Sequence, residues 1–218
     1  MCEKFINYIG NVDSLISIIA IVCSGIALWQ THRQIKLSNR QHLFDRRLSG
    51  YLIVTDLIQS YQIQQKDCRL KDDDGFVSSI GLAWLHLTGN LYLESIQNAC
   101  DYPIESQEGK NFSVKLAEFH RLAQEIQFLF SENISIPVSL FIQAYIQVLQ
   151  AIYQYRLVWN FAQQEPSIKC LPLKQKFEEV GMSNYQKKVF DALDKLESTY
   201  QTISKQGLVL KMKESIKL

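Results

Sequence analysis

The strongest constraint on this chain is a charge-free stretch near its start. Residues 15–29, LISIIAIVCSGIALW, hold only apolar and small side chains, and Asp13 is the last charge before it. With its flanks, residues 12–30, it reaches the lower limit for a helix crossing a hydrocarbon layer of roughly 30 Å. A cleaved signal peptide is disfavoured, because the start MCEKFINYIGNVD sets Glu3 and Asp13 against a single Lys4 and so lacks a basic region. A lipoprotein site at Cys23 is disfavoured by Ala20-Ile21-Val22, which lacks the small residue wanted just before the cysteine. A short buried core helix is the remaining alternative to a span.

The flanks give the stretch a direction. One lysine precedes it, whereas Arg33, Lys36, Arg40, Arg46 and Arg47 follow it closely. Positive flanks stay on the cytoplasmic side, which puts the amino terminus outside and the rest of the chain inside. Trp29 stands at the interfacial position. Ser17, Ala20, Ser24 and Ala27 are spaced 3, 4 and 3 apart. On a helix they share one face, with Asp13 and Thr31 extending the line. In lipid, small residues mark where another helix backbone approaches closely, so these four form a candidate self-association or pore-lining face. The competing reading is that Ser and Ala are simply common in spans.

No proline follows Trp29 for a long way, and the next glycine is Gly50. Apolar residues recur at Ile35, Leu43, Phe44, Leu48, Tyr51, Leu52, Ile58 and Tyr61, near helical spacing. One helix, or two nearly collinear ones, is expected over residues 12–65. A break follows at 67–75, where Asp72, Asp73, Asp74 and Gly75 lack the alternation and closing Glu of a calcium loop. Further helices are expected over 76–99, from Asn111 or Ser113 to about Phe130, over 138–164 after a turn at 133–137, and from Ser183 until Gly207. Pro166 and Pro172 bracket a loop. With only 9 Gly and 4 Pro, an all-β fold is disfavoured. The expected fold is all-α: one amino-terminal transmembrane helix continuing into a cytoplasmic helical bundle of about five helices. The expected organisation is an external segment 1–11, a span 12–30, a bundle 31–207 and a basic amphipathic tail 208–218 that packs, frays or touches the membrane.

Chemistry is sparse. The five cysteines are single, without a CxxC pair, so they read as reduced thiols rather than a metal site or disulfide framework. Asn111 and Asn133 head Asn-x-Ser patterns, without consequence in a cytoplasmic domain. Phosphate-cradling glycine loops and a GxSxG elbow are missing, and His32, His42, His86 and His120 do not fall in HExxH spacing. No catalytic residue, cofactor-binding residue or metal ligand is assigned, and no cofactor is expected. Net charge is +1, which gives no global case for nucleic acid. The basic segment 33–47 reads as a flank solvated beneath anionic lipid. The most unusual feature beyond the span is a line of Gln143, Gln147, Gln150 and Gln154, spaced 4, 3 and 4, with Arg156 just beyond. It is a water-facing line on a buried helix, a polar seam at a subunit contact or ligand cleft, or the lining of a second span.

The run QIKLSNRQHLFDRRLSGYLIV resembles a segment, xQIxLSNxQxLFDxRLxxYLxx, that follows the anchor in a group of small, largely uncharacterised bacterial single-span membrane proteins. The resemblance covers roughly residues 12–60. Some single-span helical proteins of this size are effectors or accessory proteins in antiviral islands, including those attached to CRISPR and retron systems. It implies an inner-membrane protein whose cytoplasmic bundle receives a signal from a defence-system protein or small ligand, and whose self-associated spans then perturb the membrane. The alternative is a tethered scaffold or sensor without pore activity. Small α-bundles in bacterial immunity also include HEPN ribonucleases, with an Arg and a His about five apart on one helix. Here no Arg has such a His, and Phe161 stands at that place relative to Arg156.

Overall fold

A computed structural model describes the backbone of residues 2–67 and 76–216, and the side chains of 20–66, 76–172 and 175–216. Among these residues the chain is all-helical, without strands. It holds α1 (Cys2–Asp67), α2 (Phe76–Thr88), 3-10 turns at Glu94–Ile96 and Ala99–Asp101, α3 (Gln107–Leu129), α4 (Glu132–Gln164), α5 (Pro166–Lys169), α6 (Leu173–Glu179), α7 (Met182–Lys205) and α8 (Leu208–Ile216). The chain divides into two compact units, Met1–Asp45 and Arg46–Lys217. Helix α1 contributes to both. Helix begins at Cys2, so residues 2–11 have the same backbone as the stretch after them. The Asp72–Asp74 segment lies outside the described residues.

In the first unit, every side chain from Ala20 to Leu43 is exposed. Ile21 and Leu28 show 71% and 72% of their surface.

The second unit has its own core, built around α4. This helix lies against α3 on one side and α7 on another. Ile142, Tyr145, Leu149, Ile152 and Tyr155 are fully buried. Aromatic rings interlock along it: Phe119 and Phe141 each pack edge-on against Tyr145 with centroids 5.9 Å apart, and Phe76 packs edge-on against Tyr155 at 5.0 Å. Such pairs favour edge-to-face geometry because ring edges are positive and faces negative. From α1, Val54, Leu57, Ile58 and Tyr61 enter this core, spaced 3, 1 and 3 on one helical face.

Several boundaries differ from the sequence expectation. Helix α4 starts at Glu132, not after Pro137: the proline is its sixth residue, so only the Asn133 carbonyl loses a donor. Helix α3 starts earlier, because Ser106 caps it by accepting the Gly109 N–H at 3.0 Å. Helix α2 ends at Thr88 rather than Ala99, and Asn90 then organises a turn by accepting Leu93 N–H at 3.1 Å and donating to Ser60 Oγ at 3.1 Å. The Pro166–Pro172 loop contains a helical turn, α5. Among the described residues the expected helices over 76–99, 111–130, 138–164 and 183–207 correspond to α2, α3, α4 and α7, with the short α5 and α6 added between α4 and α7. The tail packs: Leu208, Met212 and Ile216 are buried one turn apart on α8. Gly207 joins α7 to α8 with φ +60°, a left-handed conformation that suits glycine.

Candidate functional site

Three features gather the residues singled out by sequence. The first is α1 in the amino-terminal unit. Ala20, Ser24 and Ala27 are exposed; the side chain of Ser17 lies outside the described residues. Ser24 Oγ donates to the Ala20 carbonyl at 2.7 Å and Thr31 Oγ1 to that of Ala27 at 2.8 Å. Each hydroxyl is thus satisfied within its own helix. At 3.6 residues per turn, Ala20, Ser24, Ala27 and Thr31 lie within about 60° of one another, and Trp29, Arg33, Lys36 and Arg40 within about 60° on the opposite side. The Arg33 guanidinium stacks over the Trp29 ring at 5.8 Å. The small face is therefore free of cations, and the positive charges have their own face.

The second is the flank. Arg33, Lys36, Arg40 and Arg46 are exposed. Arg47 is half-buried and used within the helical unit: its Nε donates to Leu129 O at 2.8 Å and its Nη1 to Ser215 O at 3.0 Å. Those carbonyls belong to the last turns of α3 and α8, which have no partner inside their helices.

The third is the glutamine line. Gln143, Gln147 and Gln154 are exposed and Gln150 is half-buried, so the line faces water along an otherwise buried helix. Gln147, Gln150 and Gln154 form one wall of a surface groove of about 350 Å³, opposite Lys188, Asp191 and Lys195 of α7. Gln143 turns to Ser139 instead, at 3.4 Å. Arg156 is not part of this seam. Two residues beyond Gln154 it points elsewhere, and its guanidinium holds Asp101 through Nε at 2.9 Å and through Nη2. Asn160 Nδ2 adds a bond to the Asp101 carbonyl at 3.3 Å, and Tyr153 OH one to Tyr102 O at 2.9 Å. This cluster pins the turn before α3. α4 is the one helix among the described residues long and apolar enough, by length and composition, to cross a membrane, yet 67% of that window is buried inside the bundle. It is the core helix of the second unit.

A polar cluster with no sequence signal joins α1 to α7. Glu197 accepts from Tyr61 OH, from Gln65 Nε2 at 2.6 Å and from Gln201 Nε2 at 2.5 Å. Burial, then the bond to Glu197, raises the Tyr61 hydroxyl above its ordinary value. Burial pushes the Cys100 thiol up to about 12, so it stays protonated at neutral pH. Cys23 and Cys170 are exposed. His120 is exposed and His86 half-buried. Among the described residues, no three His, Cys, Asp or Glu side chains come together as a metal site.

No family model, curated protein or solved structure matches the chain.

Proposed function

We propose that this chain is a membrane-anchored, self-associating effector. Residues 12–30 span a bacterial inner membrane with the amino terminus outside, and the helical unit Arg46–Lys217 lies in the cytoplasm. The carrying observation is the exposed surface of α1. Ile21, Val22, Ile26, Leu28 and Trp29 are all more than half exposed. Fully burying a side chain of this kind is worth about 1.5–3 kcal/mol. A helix that shows five of them within nine residues therefore belongs in lipid or against copies of itself. The internally satisfied Ser24 and Thr31 hydroxyls and the cationic opposite face, stacked on Trp29, support the same placement. Spans then pack through Ser17, Ala20, Ser24 and Ala27, whose small side chains allow backbones to approach. On the likeness to antiviral single-span proteins, activation of the helical unit rearranges these spans and perturbs the membrane.

Native Cys23 provides the test. Oxidative cross-linking of the full chain in membranes should yield a dimer through Cys23, lost in Cys23→Ser and strongly reduced in Ala20→Leu/Ser24→Leu. The same double variant should lose growth inhibition and membrane depolarisation on induction. Unchanged cross-linking and unchanged toxicity would refute the reading.

The Gln147–Lys195 groove favours a second reading, a tether that binds a cytoplasmic partner without permeabilising the membrane. It predicts unaltered membrane potential on overproduction.

A further inference from the structure

Arg47 is the second residue of the helical unit, counted from where α1 leaves the amino-terminal unit. Its one guanidinium bridges two helix ends that are remote in sequence, Leu129 O of α3 and Ser215 O of α8. A cation at a helix carboxyl end complements both the unpaired carbonyls and the helix dipole. Helix α8 is otherwise a light attachment. It is nine residues long, buries Leu208, Met212 and Ile216, and joins α7 through the left-handed Gly207. It does not seat flush: a hollow of about 460 Å³ remains between it and α1 and α7, with Tyr51, Ile58, Ile203 and Leu210 in its lining.

We propose that Arg47 is a latch that makes the docking of α8 conditional on the position of α1. Hydrogen bonds of this kind hold only within a few tenths of an ångström. The two acceptors sit on different helices, so a turn or slide of α1 at residue 47 breaks at least one bond. Release of Ser215 frees α8 to swing about Gly207 and uncovers the apolar strip Leu208–Met212–Ile216. A rearrangement of the anchor thereby becomes a new apolar surface on the cytoplasmic unit. This last link rests on the proposed membrane anchor; the latch itself does not.

Hydrogen exchange of the full chain in lipid nanodiscs, read by mass spectrometry, tests both parts. Arg47→Ala should speed exchange of the α8 amides by about tenfold or more, leave those of α7 unchanged, and be mimicked by Arg47→Lys, which lacks the two-pronged geometry. Arg46→Ala, at the exposed neighbour, should exchange as wild type. α8 rates within about twofold of wild type in Arg47→Ala, or a parallel rise in α7, would overturn the latch. In the second arm, Ala20→Leu/Ser24→Leu should change α8 exchange when Arg47 is present and add nothing in Arg47→Ala. An unchanged α8 with Arg47 present would overturn the coupling while leaving the latch standing.

Discussion

Two glycine-to-alanine substitutions should have opposite signs. Gly109 lies in the first turn of α3, its N–H held by Ser106 Oγ. A Cβ built there would stand 2.3 Å from Pro103 O, 2.6 Å from Ile104 Cα and 2.9 Å from Pro103 C. All three are backbone atoms of the turn that Arg156 and Tyr153 hold through Asp101 and Tyr102, so no side chain can rotate aside. The turn has to move about 1 Å, and overpacking of that size costs about 1–3 kcal/mol. Gly81 lies inside α2, with nothing within 4 Å of its added Cβ. There alanine gains from helix propensity, by up to about 1 kcal/mol. For a unit of this size each kcal/mol moves Tm by about 2–4 °C. Thermal melting of the full chain in detergent, followed by near-ultraviolet circular dichroism, should show Gly109→Ala lowered by about 2–12 °C and Gly81→Ala raised by a few degrees. If Gly109→Ala melts at or above wild type, the close approach of α3 to residues 103–104 is wrong.

The buried tyrosines of α4 should also part company. Tyr145 OH donates to Leu87 O at 2.6 Å, so Tyr145→Phe should cost about 1 kcal/mol, whereas the Tyr155 hydroxyl is buried without a partner among the described residues and Tyr155→Phe should be neutral or stabilising in the same melt. In alkali the chain should lose stability. Burial pushes Tyr92 up to about 12 from 10.0 and Cys100 up to about 12 from 9.0, and raises Tyr61. Groups whose folded value is raised stabilise fully below their unfolded value and lose that contribution as pH climbs through the folded one. Absorbance at 295 nm should show these tyrosines ionising late, in step with unfolding above about pH 10; normal titration of all ten tyrosines in the folded chain would contradict the packing.

Local periodicity made much of this fold legible. Helix α7 was readable because Tyr185, Val189, Leu193, Leu196, Tyr200 and Ile203 repeat on one face and Gly207 stops it; Val189, Leu196 and Ile203 are buried and the other three half-buried. The start of α4 was not, because Pro137 signals a turn unless a helix begins just far enough ahead of it. The early end of α2 escaped because it depends on Asn90 reaching Ser60, thirty residues away. The glutamine line was visible from its spacing, but the facing Lys188, Asp191 and Lys195 come from a helix placed only by tertiary packing. Arg156 reads as an extension of that line only in one dimension; two residues on a helix turn it nearly to the opposite side, toward Asp101. Arg47 reads as one more flank cation because its partners are backbone carbonyls, which every residue has and no sequence pattern marks.

In the proposed topology residues 12–30 anchor a cytoplasmic helical unit. Exposed Cys170 reports on it directly. Spheroplasts carrying the full chain can be treated with a membrane-impermeant maleimide before and after lysis, and their membranes then washed with alkaline carbonate. The anchored topology predicts that the chain stays in the washed membranes and that the peptide bearing Cys170 is labelled only after lysis. A chain released into the soluble fraction, or Cys170 labelled in intact spheroplasts, would contradict it.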